Sequence, residues 1–143
     1  MLPAMTLLAF DYGHKKIGVA IGNTISKSAR ALLTIPTASR DAEILALIRE
    51  WSPDGFVVGL PVHADGTPHA MTGKARLFGE WLYKRFSKPV VFADERLTTQ
   101  AAQSWLDEQK IPPKEARQRR DAVAAQIILQ AYFDEDIDGF TQS

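Results

Sequence analysis

The sequence predicts an α/β domain: a five-stranded mixed sheet flanked by helices on both faces. Two observations carry this. Two short apolar strands, Leu7 to Phe10 and Ile17 to Gly22, stand either side of the turn-forming Gly13-His14-Lys15. After a third strand, helix-like and strand-like segments alternate, the pattern of parallel strands joined by crossover helices. The length of 143 residues, 45% hydrophobic and 24% charged, suits one globular domain over residues 1–143.

Each element has a local reason. Leu7-Leu8-Ala9-Phe10 is a buried strand that ends at Asp11-Tyr12-Gly13. Ile17, Val19 and Ile21 alternate with Gly18, Ala20 and Gly22, a period of two with small residues on one face. A third strand, Ala31 to Ile35, is stopped by Pro36. Ile44, Leu45, Leu47, Ile48 and Trp51 recur at helical spacing, and Asp41 and Glu43 suit the first turn of a helix from Asp41 to Trp51. Ser52-Pro53-Asp54 ends it.

Phe56 to Leu60 reads as a buried strand, and Val62 to Pro68 as a loop. A helix is predicted from Met71 to Phe86, a fifth strand from Pro89 to Ala93, and a third helix from Thr98 or Thr99 to Gln109. Pro112-Pro113 separates it from a last helix, Lys114 to Phe133. Residues 134–143 are expected to form a flexible acidic tail.

Composition sets outer bounds. There is no cysteine, which excludes disulfides and thiolate metal sites. No apolar run approaches the ~20 residues that span a bilayer, and Met1 to Met5 lacks the basic start of a secretory signal. A cytoplasmic protein without a membrane partner is the expectation. Seventeen basic and seventeen acidic residues give zero net charge. That argues against nonspecific coating of nucleic acid but allows a local cationic patch.

Three carboxylates carry the chemistry. Asp11 closes the first strand and Glu95 follows the fifth, and ligands of open α/β sheets bind at such strand ends. Taken alone, an Asp in a turn is weak evidence. Asp121 shares a helix face with Ala124, Ala125, Ile128 and Tyr132. A carboxylate in an apolar stripe must be paired, protonated or bound to a cation. A salt bridge to Arg117, four residues earlier, is the structural alternative.

Three acids from distant positions suit Mg²⁺ or Mn²⁺, which prefer oxygen ligands. Two such ions about 4 Å apart suit phosphoryl transfer. His14, His63 and His69 have no zinc-ligand spacing. Cations stand beside each acid: Lys15 and Lys16 after Asp11, Arg96 after Glu95, and Lys114, Arg117, Arg119 and Arg120 before Asp121. Carboxylates for metal with cations for phosphate make up a phosphodiester site, although solvated surface charge is the ordinary fate of such residues. Tyr12 is the best candidate for stacking on a base, or else a core residue.

These segments resemble the YqgF/RuvX family, known as Holliday junction resolvases and as nucleases for the precursor of small-subunit ribosomal RNA. The matching stretches run from Ala9 to Ala20, through Val57-Val58-Gly59-Leu60-Pro61 with Asp65-Gly66-Thr67, then Asp94 to Thr99, then Arg120 to Ala125. They follow the family order from about Leu7 to Leu129, and the Glu95 segment is the most specific. The resemblance implies a ribonuclease-H-like fold, metal-dependent cleavage by Asp11, Glu95 and Asp121, and a site bordered by Gly59-Leu60-Pro61. Lys16 stands where the family often has Arg, and Ala64 where it often has Met. Neither departure removes a carboxylate.

The expected function is therefore a metal-dependent endonuclease, with the 5′ end of the 16S ribosomal RNA precursor favoured over four-way DNA as substrate. A resolvase would need a homodimer to cut two strands, whereas RNA processing could use a monomer. A binding module without catalysis is a competing reading, but a set of mutually repelling carboxylates argues against it. An ATP-binding domain of the actin type also opens with Asp-x-Gly, yet those proteins close two such domains around the nucleotide, and this chain holds one.

Overall fold

The computed structural model describes residues 4–60, 70–94 and 113–135. Strands β1 (Thr6–Tyr12), β2 (Lys16–Asn23) and β3 (Ser28–Pro36) come first. A 3-10 turn (Thr37–Ser39) leads into helix α1 (Arg40–Trp51). Then follow β4 (Gly55–Leu60), α2 (Thr72–Phe86), β5 (Val90–Asp94) and α3 (Pro113–Glu135). The helix expected before Gln109 and the loop expected from Val62 lie outside the described residues.

The strands form one sheet in the order β3-β2-β1-β4-β5. Strand β2 is antiparallel to both neighbours, while β1, β4 and β5 run parallel. The sheet is mixed, as the opening hairpin predicts. Its parallel strands all end at one edge, with Asp11 near the end of β1 and Asp94 level with Leu60 at the ends of β5 and β4.

Both faces are covered. Leu8 and Phe10 of β1 join Ile17, Val19, Phe56 and Val58 in a core with Ile44 and Leu47 of α1 and Ala75, Phe78 and Leu82 of α2. Leu7 and Ala9, on the other face, pack with Ala20, Ala29 and Val57 against Ala125, Ile128, Leu129, Tyr132 and Phe133 of α3. Each fully buried large side chain contributes about 1.5–3 kcal/mol. Helices α1 and α2 both end at a left-handed serine, Ser52 at φ 48° and Ser87 at φ 55°. Their N–H groups bond to the carbonyls of Ile48 and Tyr83.

The small residues of β2 have a structural purpose. They form the bed on which α3 lies. A Cβ at Gly22 would sit 2.7 Å from the Phe133 ring and 2.8 Å from the Ser28 carbonyl oxygen. The helix also clasps the edge strand. Gln130 accepts from the Ala29 N–H at 3.0 Å and donates to the Lys27 carbonyl at 2.9 Å, and Gln126 donates to the Ala29 carbonyl at 3.2 Å. These bonds satisfy polar groups that an edge strand otherwise leaves open.

The helix runs two residues further than its apolar pattern suggests, through Asp134 and Glu135. Asp134 accepts from the Gln130 side chain one turn earlier, at 3.1 Å, which favours continuation of the helix.

Candidate active site

Strand β1 alternates its side chains, so Asp11 shares the α3 face with Leu7 and Ala9. In register beside it lies Gly18 of β2, and beside Gly18 lies Thr34 of β3. The three residues form a row across the sheet. Helix α3 crosses that row at its glycine. A Cβ on Gly18 would overlap the main-chain carbonyl of Asp121 and would stand 2.8 Å from the Ala122 nitrogen. The Asp121 main chain is thus seated over Gly18, the residue paired with Asp11.

Asp121 is half-buried. Desolvation pushes its pKa above the ordinary 3.8, and the charges of Lys16 and Arg120 pull it back without cancelling the effect. Burial thus outweighs the pull of these two cations. The cations set against it are Lys16, brought by the hairpin, and its neighbour Arg120. The Arg117 side chain, the partner suggested by helical spacing, lies outside the described residues, as do those of Lys114 and Arg119.

The turn bearing Lys15 and Lys16 is braced. A Cβ at Gly13 would stand 2.5 Å from the Lys16 carbonyl oxygen, so the turn needs glycine there. Thr37 donates its hydroxyl to the Gly13 carbonyl at 2.9 Å and its N–H to the Lys15 carbonyl at 2.9 Å. Lys15 and Lys16 are exposed. With Thr34, Ile35 and Pro36 they line a cleft of about 310 Å³. Two buried polar atoms lack a hydrogen-bond partner among the described residues: Thr34 Oγ1 and Arg120 Nε. Sequence reading did not single out Thr34, because only strand register reveals its place beside Gly18.

Glu95 and Arg96 lie outside the described residues. Glu95 follows Asp94, the end of β5, in sequence. Among the described residues no group of three or more His, Asp or Glu side chains is close enough to hold a metal ion. Tyr12, considered as a base-stacking residue, points to the opposite face from Asp11. Its ring packs on Phe78 at 4.9 Å. Among the described residues no helix is long and apolar enough to cross a membrane.

Comparison with known proteins bears on this arrangement. A family model described as "RuvX: Holliday junction resolvase" matches residues 5–135. The chain belongs to the RuvX family. A relative from Burkholderia vietnamiensis, named "Putative pre-16S rRNA nuclease", is 50% identical over 133 residues, 91% of this chain and 89% of that protein.

Among solved structures, the fowlpox virus Holliday junction resolvase superposes with a TM-score of 0.58 at 13% identity, covering 91% of this chain and 98% of the viral one. Thermus thermophilus RuvC, solved with a Holliday junction substrate, gives 0.56 at 16% identity, covering 90% and 94%. At such identities these two likenesses concern the fold, which is ribonuclease-H-like. The family match and the fold agree with the resemblance seen in the sequence.

Proposed function

We propose that this RuvX-family chain is a divalent-metal-dependent endonuclease that matures the 5′ end of the 16S ribosomal RNA precursor. The observation that carries the reading is the seating of Asp121 on Gly18, the residue paired with Asp11. It sets the Asp121 backbone on the row of the sheet that holds Asp11, and burial raises the pKa of the Asp121 carboxyl despite Lys16 and Arg120. The half-identical relatives named for pre-16S rRNA support the choice of substrate. A cytoplasmic location follows from that role.

The donor chemistry fits the proposed ions. Asp11, Asp121 and Glu95 offer only oxygen, the ligand type that Mg²⁺ and Mn²⁺ prefer. Bound there, two such ions would supply positive charge for the developing oxyanions and a more acidic water. The protein's own residues do the rest. Asp121 must give up its proton to act as a ligand, and Lys16 and Arg120 favour that by lowering its pKa. Lys15, Lys16 and Arg120 present cations to phosphate at the same edge. Arg96, Lys114, Arg117 and Arg119 extend that role along the flanking segments.

A second reading, resolution of four-way DNA, is favoured by the description of the family model itself. It requires two copies of the site, and so a homodimer. The deciding experiment uses wild type and Asp11→Asn on three labelled substrates: a ribosomal RNA precursor leader, a four-way DNA junction and plain single-stranded RNA. Each is run with Mg²⁺, with Mn²⁺ and with chelator. Metal-dependent cutting of the leader by wild type alone is expected. Cutting of the junction alone moves the assignment to resolvase. Retained metal-dependent cutting by a clean Asp11→Asn preparation overturns the assigned site.

A further inference from the structure

Arg40 opens α1, three residues after Thr37, whose bonds to the carbonyls of Gly13 and Lys15 fix it beside the β1–β2 turn. Strand β3 runs antiparallel to β2, and β2 antiparallel to β1, so β3 ends at the same sheet edge as Asp11. Arg40 therefore stands at the active edge, on the face of the sheet opposite to Asp121.

Its guanidinium is held over three aromatic rings. The Cζ atom lies 4.9 Å from the ring centre of Trp81, 5.2 Å from Phe78 and 5.9 Å from Tyr12. The rings support one another: Phe78 stacks on Trp81 at 6.0 Å and meets Phe10 edge-on at 5.3 Å. Phe78 is buried at the centre of the core. A cation over such rings is oriented before any ligand arrives, so little freedom is lost when it binds.

Its donors are largely unspent. The one ion pair described for Arg40 is a long 3.4 Å contact from Nε to the exposed carboxylate of Asp41, and a quarter of the arginine side chain, 26%, is open to solvent. The terminal nitrogens, the part of the fork that grips a phosphate, are not used by that contact. Between Arg40 and the carboxylates lies the braced turn with exposed Lys15 and Lys16. Lys16 and Arg120 act on Asp121, and the Thr37 bonds to the Gly13 and Lys15 carbonyls tie the turn to the start of α1, where Arg40 stands.

We propose that Arg40 is a phosphate anchor for the single-stranded flank of the substrate, gripping the backbone beyond the β1–β2 turn and away from the cut. The ligand group is a phosphodiester and the contact is indifferent to base sequence. This deepens the nuclease reading and rests on it. Arg40 acts in binding, outside the chemistry of cleavage.

The test is binding by the full chain in chelator, so that no cleavage is needed. The probe is a short fluorescent single-stranded RNA, titrated over a range of salt concentrations. Arg40→Met keeps an apolar stem on the three rings and removes the charge. It is expected to weaken binding roughly tenfold at low salt, the size of one charge-assisted contact. It should also flatten the slope of log Kd against log salt by about 0.7, the loss of one phosphate contact to a single strand.

Arg40→Lys keeps the charge but loses the planar fork, and should retain the slope while binding more weakly. Arg40→Met with a lowered Tm and an unchanged salt slope would show a purely structural arginine and overturn the proposal. So would an unchanged slope in Arg40→Met beside a normal Tm. If wild type binds no RNA, the nuclease reading fails first and takes the anchor with it.

Discussion

The main-chain carbonyl of Asp121 occupies the space where a side chain on Gly18 would begin. The absence of one methyl group thus sets the height of α3 above the sheet at Gly18, the residue paired with Asp11. Gly18→Ala would have to lift or tilt the helix, because the obstacle is backbone and no rotamer change relieves it. Overpacking of this kind costs about 1–3 kcal/mol, occasionally more. The expected result is a lowered urea midpoint together with loss of cleavage. The corresponding change at Gly73, which has open space around its Cβ position, should leave both nearly unchanged.

The raised pKa of Asp121 predicts a pH dependence of definite sign. Burial holds the proton on the folded protein to higher pH than on the unfolded chain. Folding is therefore favoured by this group below the unfolded value of 3.8, and that contribution is lost as the pH rises through the folded value. Metal-free wild type should lose more stability than Asp121→Asn between acid and neutral pH. Adding Mg²⁺ at neutral pH should raise the Tm of wild type more than that of the variant, since only the carboxylate gains a partner. Thermal melts of both proteins over a pH series, with and without the ion, check both statements.

Thr34 gives a prediction in the opposite direction from most core substitutions. Its hydroxyl oxygen is buried without a hydrogen-bond partner among the described residues. A group left so costs about 1–3 kcal/mol in desolvation. Valine has the same shape without the hydroxyl and suits a strand. Thr34→Val should therefore be neutral or stabilising by about 1 kcal/mol, with an unchanged dependence on urea concentration. A loss of more than about 1 kcal/mol would mean that the hydroxyl has a partner after all.

Much of the frame was legible in the residues because it is local. The alternation of Ile17, Val19 and Ile21 against Gly18, Ala20 and Gly22 defines a strand with one apolar and one small face. The structure uses that small face as the seat of α3. Asp121 falls within an apolar stripe of its helix, and the structure half-buries it there, where a carboxylate is expensive.

What escaped sequence reading depends on register and docking. The nearness of Lys16 to Asp121 cannot be read from helical spacing, because the hairpin brings it from a distant part of the chain. Thr34 reaches Gly18 only through strand pairing that includes an irregularity between Val19 and Ala20. Arg40 stands just before the helix predicted from Asp41 and carries no sequence signal, because the ring cluster beneath it forms only when α1 and α2 share one face of the sheet. The Gln126 and Gln130 clasp on β3 is likewise invisible until the helix lies down.

The seating of α3 also bears on when, in the life of the molecule, the proposed site is complete. Asp11 is made well before Asp121, and contacts between such distant segments form slowly. Until α3 has been made and has settled on Gly18, the sheet lacks the helix that carries Asp121. A nascent or truncated polypeptide lacking that helix has no Asp121 on the sheet, so a site of the proposed kind would be completed only once the helix has docked.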